Sequence, residues 1–487
     1  MLGTERPQQR SSFSASLGSS PSTWGKAFTQ PLHNFPLTPL VPLEGQIPSA
    51  LRGSLYRNGP VLFERGGERI AHWFDGDGAI LGVHFKEGSA TGVYQTVQTA
   101  GFLAEQKTQR FQLAGYGRRA PGPFWKSGSN LSKNTANTSV LALDNRLLAL
   151  WEGGNPHALD LQTLETLGVD NLESLESGEA FSAHPKRDPQ TGDIYNFGVA
   201  FGRQTYLKLY RCDRTGKMLH RTKIPLKRIP LIHDFVLAGP YLIFCVSPVA
   251  LNPLPVLLHW KSYSEALRWM PEQGTQILVV DRNTLELVSQ SETEPWFQWH
   301  FGNGFVDRDG QVVVDVARYK DFKTNQFLKE VPSGQPRANA PSQLWRMRID
   351  PRTAKLSGSE CLSDRTCEFP TVAPVLVGQS ARYTYLNTRS EHSKETDLFD
   401  AIAAFDHARG EMTVADMGAN SYPSEPIFAP SPENPEQGWI LTVVYRGDRH
   451  TSEVWIFESH TLESGPICRL ALPQPVALSF HGTWKAA

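Results

Sequence analysis

The chain of 487 residues carries 48 basic and 49 acidic residues, and its formal net charge of −1 supplies no overall field that would attract nucleic acid. Hydrophobic residues make up 40% of the chain, enough for a large core, yet no run reaches the ~20 apolar residues that a membrane-spanning helix requires. The five cysteines have no C-x-x-C spacing and are odd in number, which favours a reducing compartment such as the cytoplasm over a disulfide framework.

The N-terminal segment is rich in Ser, Thr, Gln and Pro and lacks the apolar core of a secretory signal. Such a composition cannot bury enough apolar surface to offset the entropy of ordering. We therefore expect a disordered tail over residues 1–30 and a single folded domain over residues 31–487.

Short β-branched and aromatic runs recur between turn signals from about residue 80 onward, as in Tyr241–Val246, Gln276–Val280 and Trp439–Tyr445. Several of these runs end in an aspartate followed by a turn, as at Asp281 and Asp350. This recurrence indicates one supersecondary unit used several times, and roughly 60 residues per four-stranded unit with insertions gives about seven units. The prediction is an all-β fold, a β-propeller in one domain.

One apolar stretch, residues 249–260, is interrupted by prolines and followed by Lys261 and Arg268. It is compatible with a buried loop that carries a short helix. It is equally compatible with a surface patch of apolar side chains that dips into a bilayer, with basic residues at its margin.

Most catalytic motifs are missing, because the sequence has no G-x-S-x-G elbow, P-loop, dinucleotide fingerprint or H-E-x-x-H. Four histidines instead stand next to apolar or aromatic residues: His184, His233, His300 and His481. A single histidine of this kind is more often a satisfied core residue, and His481 could also belong to a frayed C-terminus. Together they favour a central metal site, and an all-imidazole site suits iron, zinc or copper.

Three glutamates also stand in apolar surroundings: Glu152, Glu368 and Glu425. Ligating histidines usually pass their second N–H to a carboxylate, so these residues are candidate partners for the four histidines. The alternative is that they form ordinary surface or structural ion pairs.

Nine short stretches, taken in order, resemble the carotenoid cleavage oxygenase family over almost the whole chain, from about residue 45 to Trp484. The stretches are Tyr56–Pro60, Phe74–Gly78, Asn134–Thr138, Leu150–His157, Ala183–Pro185, His233–Phe235, Glu368–Pro370, Glu425–Phe428 and His481–Trp484.

The resemblance implies a seven-bladed propeller with iron(II) on its axis, bound by His184, His233, His300 and His481. It implies that Glu152, Glu368 and Glu425 each hold one of these histidines and that the fourth has no such partner. Loops and helices would form a dome over one face, with a nonpolar tunnel that leads to the iron. Residues 249–260 fall where family members carry a membrane-dipping patch, which favours peripheral membrane contact. The predicted enzyme is monomeric and cytoplasmic.

Two positions depart from the family pattern. Gly304 replaces the alanine that usually follows the retained Asn303, and we expect little effect on metal ligation. Phe102 occupies a position where relatives that cleave phenolic stilbenes carry a tyrosine, which favours an apolar polyene substrate. With Phe102, the tryptophans Trp151 and Trp299 are candidates for substrate contact, and core packing is their alternative role.

The sequence thus predicts a non-haem iron(II) dioxygenase. It would cleave a C=C bond of an apocarotenoid or carotenoid with O₂ and release carbonyl products such as retinal. The alternatives are a dioxygenase that cleaves stilbenes or other phenolic alkenes, and a propeller that binds carotenoid without turnover. The sequence leaves the cleaved bond and the accepted chain length open.

Overall fold

A computed structural model describes residues 22–119, 121–122 and 132–487. Helices are few and short within these ranges: α1 to α5 are Lys26–Thr29, Ala100–Thr108, Pro253–Leu257, Tyr263–Ala266 and Thr324–Glu330. Single 3₁₀ turns are Thr23–Gly25, Trp73–Asp75, Pro271–Gln273, Val331–Ser333, Pro374–Leu376 and Leu462–Ser464.

Strands make up the rest of the regular structure, which confirms the all-β prediction. In chain order, β1 to β35 are Phe35–Pro39, Pro42–Gly45, Gly53–Val61, Glu64–Arg65, Glu68–Arg69, Asp77–Lys86, Ser89–Thr96, Ser139–Ala142, Leu147–Leu150, His157–Leu159, Thr166–Val169, Lys186–Arg187, Ile194–Ala200, Thr205–Cys212, Met218–Leu226, Val236–Ala238, Tyr241–Val246, Val249–Leu251, Leu267–Trp269, Thr275–Asp281, Leu287–Thr293, Phe297–Val306, Val312–Tyr319, Ser342–Ile349, Leu356–Ser363, Cys367–Thr371, Tyr383–Thr388, Ala401–Asp406, Glu411–Asp416, Ser421–Pro423, Ile427–Pro430, Gly438–Arg446, Thr451–Glu458, Cys468–Ala471 and Gly482–Ala486.

The strands form sheets of neighbouring segments in a β-propeller arrangement, and their pairings are antiparallel except for the parallel contact of β16 with β22. The larger sheets have the strand orders β1-β7-β6-β3-β35, β11-β10-β9-β8, β12-β13-β14-β15, β21-β20-β17-β16-β22-β23-β24-β25, β26-β27-β28-β29 and β2-β34-β33-β32-β30, with β31 also paired to β32. Ribbons of two strands are β4-β5 and β18-β19.

Each sheet is packed on both faces, and β20 shows why its sequence reads as a continuous apolar run. Leu278 and Val280 belong to a core shared with β13 to β17, while Ile277 and Val279 point the other way into a core shared with β22 to β24. Alternate residues of a strand point to opposite faces. A strand between two sheets therefore has apolar residues at every position.

The two ends of the chain meet in the same sheets. β35 pairs with β3 from Gly53↔Ala486 to Arg57↔Gly482, and β2 pairs with β34 from Pro42↔Leu470 to Gly45↔Cys468. The last strand is therefore held by an N-terminal strand rather than left as a free end. This closure fixes the backbone on either side of His481.

The predicted boundary at residue 31 is too late, because Thr23–Gly25 and Lys26–Thr29 are helical. Trp24, Ala27 and Phe28 are buried in a cluster with Phe63 and other aromatic residues. Their apolar side chains are enough to dock a segment that composition alone marks as a tail. The remainder of the predicted tail, residues 1–21, lies outside the described residues.

The stretch 249–260 is buried at its start and partly exposed from α3 onward. Val249 and Ala250 are buried in β18, which pairs with β19. Three apolar side chains after β18 are exposed, Leu254 at 59%, Leu257 at 64% and Trp260 at 67%, and contact of this stretch with a bilayer stays a prediction. Among the described residues, no helix combines the length and apolar character that crossing a bilayer requires.

Candidate metal centre

The four predicted histidines converge on one point. His184 and His233 precede the short strands β12 and β16, His300 lies within β22, and His481 immediately precedes β35. All four are buried, and one ring nitrogen from each lies within 4.8 Å of the others. The Nε2 atom of His233 is 3.0 Å from Nε2 of His184 and 3.2 Å from Nε2 of His300. These residues are called the four-histidine cluster below.

Carboxylates orient three of the four rings through the opposite nitrogen. The Nδ1–H of His300 donates to Glu368 Oε2 at 2.6 Å, and that of His481 donates to Glu425 Oε1 at 3.0 Å. The Nδ1–H of His233 donates to Glu152 Oε1. With the proton on Nδ1, the lone pair is on Nε2, which is the atom that faces the centre of the cluster.

His184 has different surroundings. The nearest carboxylate, Asp234 Oδ1, is 3.9 Å from its Nδ1, which is too far for a hydrogen bond. Asp234 is instead engaged by the Lys186 ammonium at 2.8 Å and by the backbone N–H groups of Phe235 and Phe301. The predicted pattern of three carboxylate-held histidines and one without is therefore present in the geometry.

Glu425 and Glu368 have further partners that complete their hydrogen bonding. Arg57 is 1% exposed, and its Nη1 lies 3.2 Å from Glu425 Oε2. The Gly482 N–H donates to the same oxygen at 2.8 Å. The hydroxyl of Tyr319 donates to Glu368 Oε1 at 2.9 Å. Glu152 differs from both, because its side chain is 30% exposed.

Burial and neighbouring groups shift the pKa of His184, His233 and His481. Burial lowers the pKa of His184 and His481 well below the usual value, and the neighbouring histidines lower it further. Burial also disfavours the charged form of His233, but the Glu152 carboxylate outweighs it and the pKa of His233 is raised. Burial raises the pKa of Glu425, against the opposing effect of Arg57.

The donor set fits a divalent metal ion. Four neutral imidazoles offer soft-to-borderline nitrogen ligands, which suit iron, zinc or copper better than magnesium or calcium. When ionised, the three glutamates and the Arg57 guanidinium together carry a net charge of −2 around the cluster, which a divalent cation neutralises.

Phe369 packs directly on the cluster in an unusual backbone conformation. Its φ of 53° lies in the left-handed region, which bulky side chains rarely adopt. Its ring stacks on His300 with centroids 5.0 Å apart, and its N–H donates to Glu368 Oε2 at 2.7 Å. The ring and the carboxylate therefore hold His300 from two sides, and the local strain accompanies a functional position.

A cavity opens beside the cluster and is lined mainly by aromatic residues. Its wall includes His233, His300 and His481 together with Trp73, Phe74, Tyr116, Trp151, Trp299, Tyr319, Phe327, Phe369, Phe399, Tyr422 and Phe480. Both predicted tryptophans are in the wall. The Trp299 ring packs edge-on against His233 at 4.9 Å, and its Nε1–H donates to Thr324.

Phe102 lies elsewhere. It is buried on α2, where the Arg65 guanidinium sits 5.4 Å from its ring, and it is not among the described residues that line the cavity. Its contact with substrate stays a prediction. The structure explains why glycine rather than alanine occupies position 304. An added Cβ would lie 2.9 Å from the Cβ of Ala238, where β16 and β22 approach each other.

Comparison with known proteins identifies the family. The sequence profile described as retinal pigment epithelial membrane protein matches residues 28–486. The apocarotenoid-15,15'-oxygenase of Synechocystis sp. is 33% identical over 454 residues, covering 91% of this chain and 92% of its own. The chain belongs to this family, which includes the carotenoid oxygenases. The resemblance seen in the motifs is confirmed.

A second relative and a solved structure of the Synechocystis oxygenase bear on the site. The isoeugenol monooxygenase of Pseudomonas putida is 29% identical, covering 91% of this chain and 94% of its own. A solved structure of cobalt-substituted Synechocystis apocarotenoid oxygenase aligns with a TM-score of 0.85 and 31% identity, covering 96% of this chain and 99% of the other. That oxygenase therefore accepts cobalt in a similar fold.

The motifs missed three residues at the site. Arg57 falls within a matched stretch, but an arginine is usually a surface residue and nothing in the stretch indicates burial. Tyr319 lies at the end of the apolar strand β23, and a tyrosine ending a buried run is a weak signal for a buried hydroxyl partner. Arg389 lines the cavity and has no neighbouring motif.

Proposed function

We propose that the protein is a non-haem iron(II) dioxygenase that cleaves a C=C bond of an apocarotenoid or carotenoid with O₂ and releases two carbonyl products, retinal among them. The observation that carries the proposal is the four-histidine cluster at the wall of an aromatic cavity. Membership of the carotenoid oxygenase family supports it.

In this proposal His184, His233, His300 and His481 hold the iron. Bound iron would supply the activation of O₂ that a closed-shell polyene cannot achieve by itself. The glutamates keep Nδ1 of His233, His300 and His481 protonated, so that Nε2 of each of these three rings faces the metal. Trp151 and Trp299 help to align the polyene in the cavity and to exclude water.

The test is an incubation of iron-loaded protein with an apocarotenal, with a carotenoid and with a stilbene under O₂, and mass identification of the products. Aldehydes from a polyene support the proposal. Cleavage of the stilbene alone would favour the phenolic-alkene alternative. Binding of the polyene without turnover of any substrate would favour the carotenoid-binding alternative.

The identity of the metal is tested separately by elemental analysis of the purified protein. We expect iron near one equivalent in wild-type protein and loss of it in His233→Ala. Arg382→Met is the control, because this arginine pairs with Asp406 at the surface and has no contact with the cluster. Iron content that is unchanged in His233→Ala would contradict the ligand assignment.

We also propose that the propeller has seven blades. The eight-stranded sheet divides at β16 and β22, which are parallel and share the single pair Ala238↔Gly304, whereas the other pairings in that sheet are antiparallel ladders. Taken as two blades of four strands, this sheet brings the count of blades among the described residues to seven. An experimental structure with a continuous ladder across β16 and β22 would contradict this count.

We further propose peripheral membrane contact through Leu254, Leu257 and Trp260. These side chains are exposed on a segment that continues into α4, where the Tyr263 ring packs 5.5 Å from Tyr116 in the cavity wall. A polyene that leaves the bilayer at this patch would therefore meet the cavity. The monomeric state stays a prediction.

The membrane proposal is tested by co-sedimentation with phospholipid vesicles. Replacing Leu254, Leu257 and Trp260 with serine should release the protein from the vesicles. The matched control replaces Leu167 and Val169 with serine, because these side chains are 61% and 65% exposed on β11. Equal vesicle binding of the two variants would contradict the proposal.

A further inference from the structure

Arg389 places a guanidinium in the cavity wall, among aromatic and apolar side chains and outside the group formed by the histidines and glutamates of the cluster. It follows β27 directly, and of the described residues that line the cavity it alone is a lysine or arginine. Next to it in the wall are Leu398 and Phe399, and its guanidinium lies 5.5 Å from the Phe399 ring. A polyene needs no cation for its chain, so the position of this charge calls for another explanation.

The guanidinium is only partly satisfied by the protein. Its Nε and Nη2 donate to the backbone carbonyl of Asp397 at 3.1 and 2.9 Å. Within the described part of the chain, no carboxylate forms an ion pair with it, and Nη1 has no hydrogen-bond partner. A guanidinium has five N–H donors, and a partly buried one without a counter-charge is costly.

Three other arginines with little exposure are neutralised by a carboxylate. Arg57 pairs with Glu425, Arg65 with Asp77, and Arg346 with Asp315. Arg389 has no such partner, and it is the arginine that lines the cavity. Burial lowers the pKa of Arg389, against the opposing effect of Tyr319, Asp397, Asp400 and Glu395, but an arginine stays protonated in proteins.

We propose that Arg389 binds the oxygen of a carbonyl end group on the substrate, an aldehyde or a carboxylate, and so selects polyenes that carry such a group over unmodified hydrocarbons. The proposal rests on the proposed function, since the ligand is the substrate of the same cavity. The guanidinium would donate Nη1–H to the end-group oxygen, while the aromatic wall holds the chain. Arg389 is a binding residue, and it takes no part in bond cleavage.

The first experiment compares kcat and KM for polyenes of equal length that end in an aldehyde, a carboxylate or a hydrocarbon. Arg389→Met should raise KM for the aldehyde and the carboxylate by about 10- to 100-fold, the range of a hydrogen bond from a charged donor. The hydrocarbon should change by less than about twofold, and Arg389→Lys should keep most of the preference. Arg382→Met is the surface control.

A second readout needs no turnover. Trp73, Trp151 and Trp299 line the cavity, so a bound retinoid-length polyene should quench tryptophan fluorescence in metal-free protein. Wild-type protein should bind the aldehyde and the carboxylate more tightly than the hydrocarbon, and Arg389→Met should abolish this ranking. If Arg389→Met does not fold, Arg389→Gln replaces it.

The outcomes separate the two proposals. A wild-type protein that cleaves no polyene but ranks end groups through Arg389 would overturn the proposed function and support this inference. Cleavage or binding that falls equally for all three end groups in Arg389→Met would assign the residue to packing of the Asp397 loop and overturn the inference.

Discussion

His72 and the four-histidine cluster are all buried imidazoles near the same cavity, yet their nitrogens have different partners. In His72, Nδ1 accepts the Phe74 N–H at 3.2 Å and Nε2–H donates to the Asn325 carbonyl at 3.3 Å. Both nitrogens are satisfied by the backbone. In the cluster, Nε2 of His233 lies 3.0 Å from that of His184 and 3.2 Å from that of His300, and carboxylates hold Nδ1 of three of the four rings.

The difference shows that burial does not identify a metal ligand. Burial lowers the pKa of His72 to about 3 and lowers that of His184 and His481 as well. What distinguishes the cluster is the set of nitrogens left without a hydrogen-bond donor at a shared point, together with buried negative charge around it. Substitutions at the two kinds of site should therefore distinguish a core histidine with both nitrogens hydrogen-bonded from a histidine that binds a metal ion.

The largest effect is expected from removing His481. His481→Ala should reduce the iron content to below about a tenth of an equivalent and abolish activity, because a ligand is lost at a site where three remain. Deletion of the last ten residues should also destabilise the fold, since β35 is removed from its ladder with β3. Elemental analysis and thermal unfolding measure the two effects.

His72→Gln is the matched control for His481→Ala. It should keep the iron content of the wild type, because His72 has no nitrogen free for a metal. A truncated protein that retains iron and activity, or a His72→Gln protein that loses its iron, would break the distinction between the two kinds of histidine.

Next in size is the effect of Arg57→Met. The variant leaves the Glu425 carboxylate buried without its positive partner, which costs about 3–5 kcal/mol in comparable cases. The loss of unfolding free energy should be larger in metal-free protein, because bound iron supplies positive charge near the same carboxylate. Urea unfolding with and without chelator measures the difference. Arg57→Met/Glu425→Gln should recover part of the lost free energy of unfolding. Equal losses with and without metal would contradict the idea that Arg57 and the metal both neutralise the Glu425 carboxylate.

Arg57 also marks the limit of what the sequence could predict. The histidines and glutamates could be assigned because their apolar neighbours and their order along the chain match a family pattern. The role of Arg57 depends on β35 pairing with β3, which brings together residues more than 400 positions apart. The sequence of a short segment does not show which distant strand will pair with it. The boundary error at residue 31 has a similar origin, because Trp24 and Phe28 are held by residues distant in sequence.

The unusual backbone conformation of a single residue could not be predicted from the sequence either. The positive φ of Phe369 follows from its packing on His300 and its N–H bond to Glu368, and neither is visible in a Glu-Phe-Pro sequence. The all-β fold was predictable because period-two and fully apolar strands separated by turn signals are local features. Cavity walls assemble from many loops, so Trp151 and Trp299 could be proposed only through their neighbouring site residues.

A smaller effect on iron binding should distinguish Glu425 from Glu152. Glu425→Gln should weaken iron binding about 10- to 100-fold, because His481 loses a charged partner in a fully buried position. Glu152→Gln should weaken it less, since the Glu152 side chain is 30% exposed and solvent screens its charge. Iron affinity measured by competition with a chelator gives both values. A larger loss for Glu152→Gln would show that burial does not set the strength of these partners.

The smallest effect concerns the pH dependence of unfolding through His72. Its pKa is lowered to about 3 in the folded protein by burial, while the unfolded value is about 6.5. Between these values the unfolded chain binds a proton that the folded protein does not, so the free energy of unfolding falls as pH decreases, by about 1.4 kcal/mol for each pH unit. His72→Gln should remove this contribution from the slope between pH 5.5 and 4.5.

The neighbouring Asp75 acts in the opposite direction, because burial raises its pKa to about 6 in the folded protein. Between this value and the lower pKa of the unfolded chain, the folded protein binds a proton that the unfolded chain does not. This contribution to the free energy of unfolding therefore rises as pH falls. Comparison of wild type with His72→Gln cancels the Asp75 contribution, which both proteins share. Urea unfolding of metal-free protein at several pH values gives the two slopes. Equal slopes would mean that His72 is protonated in the folded state, and a backbone-satisfied core histidine would no longer be a valid contrast to the four ligands.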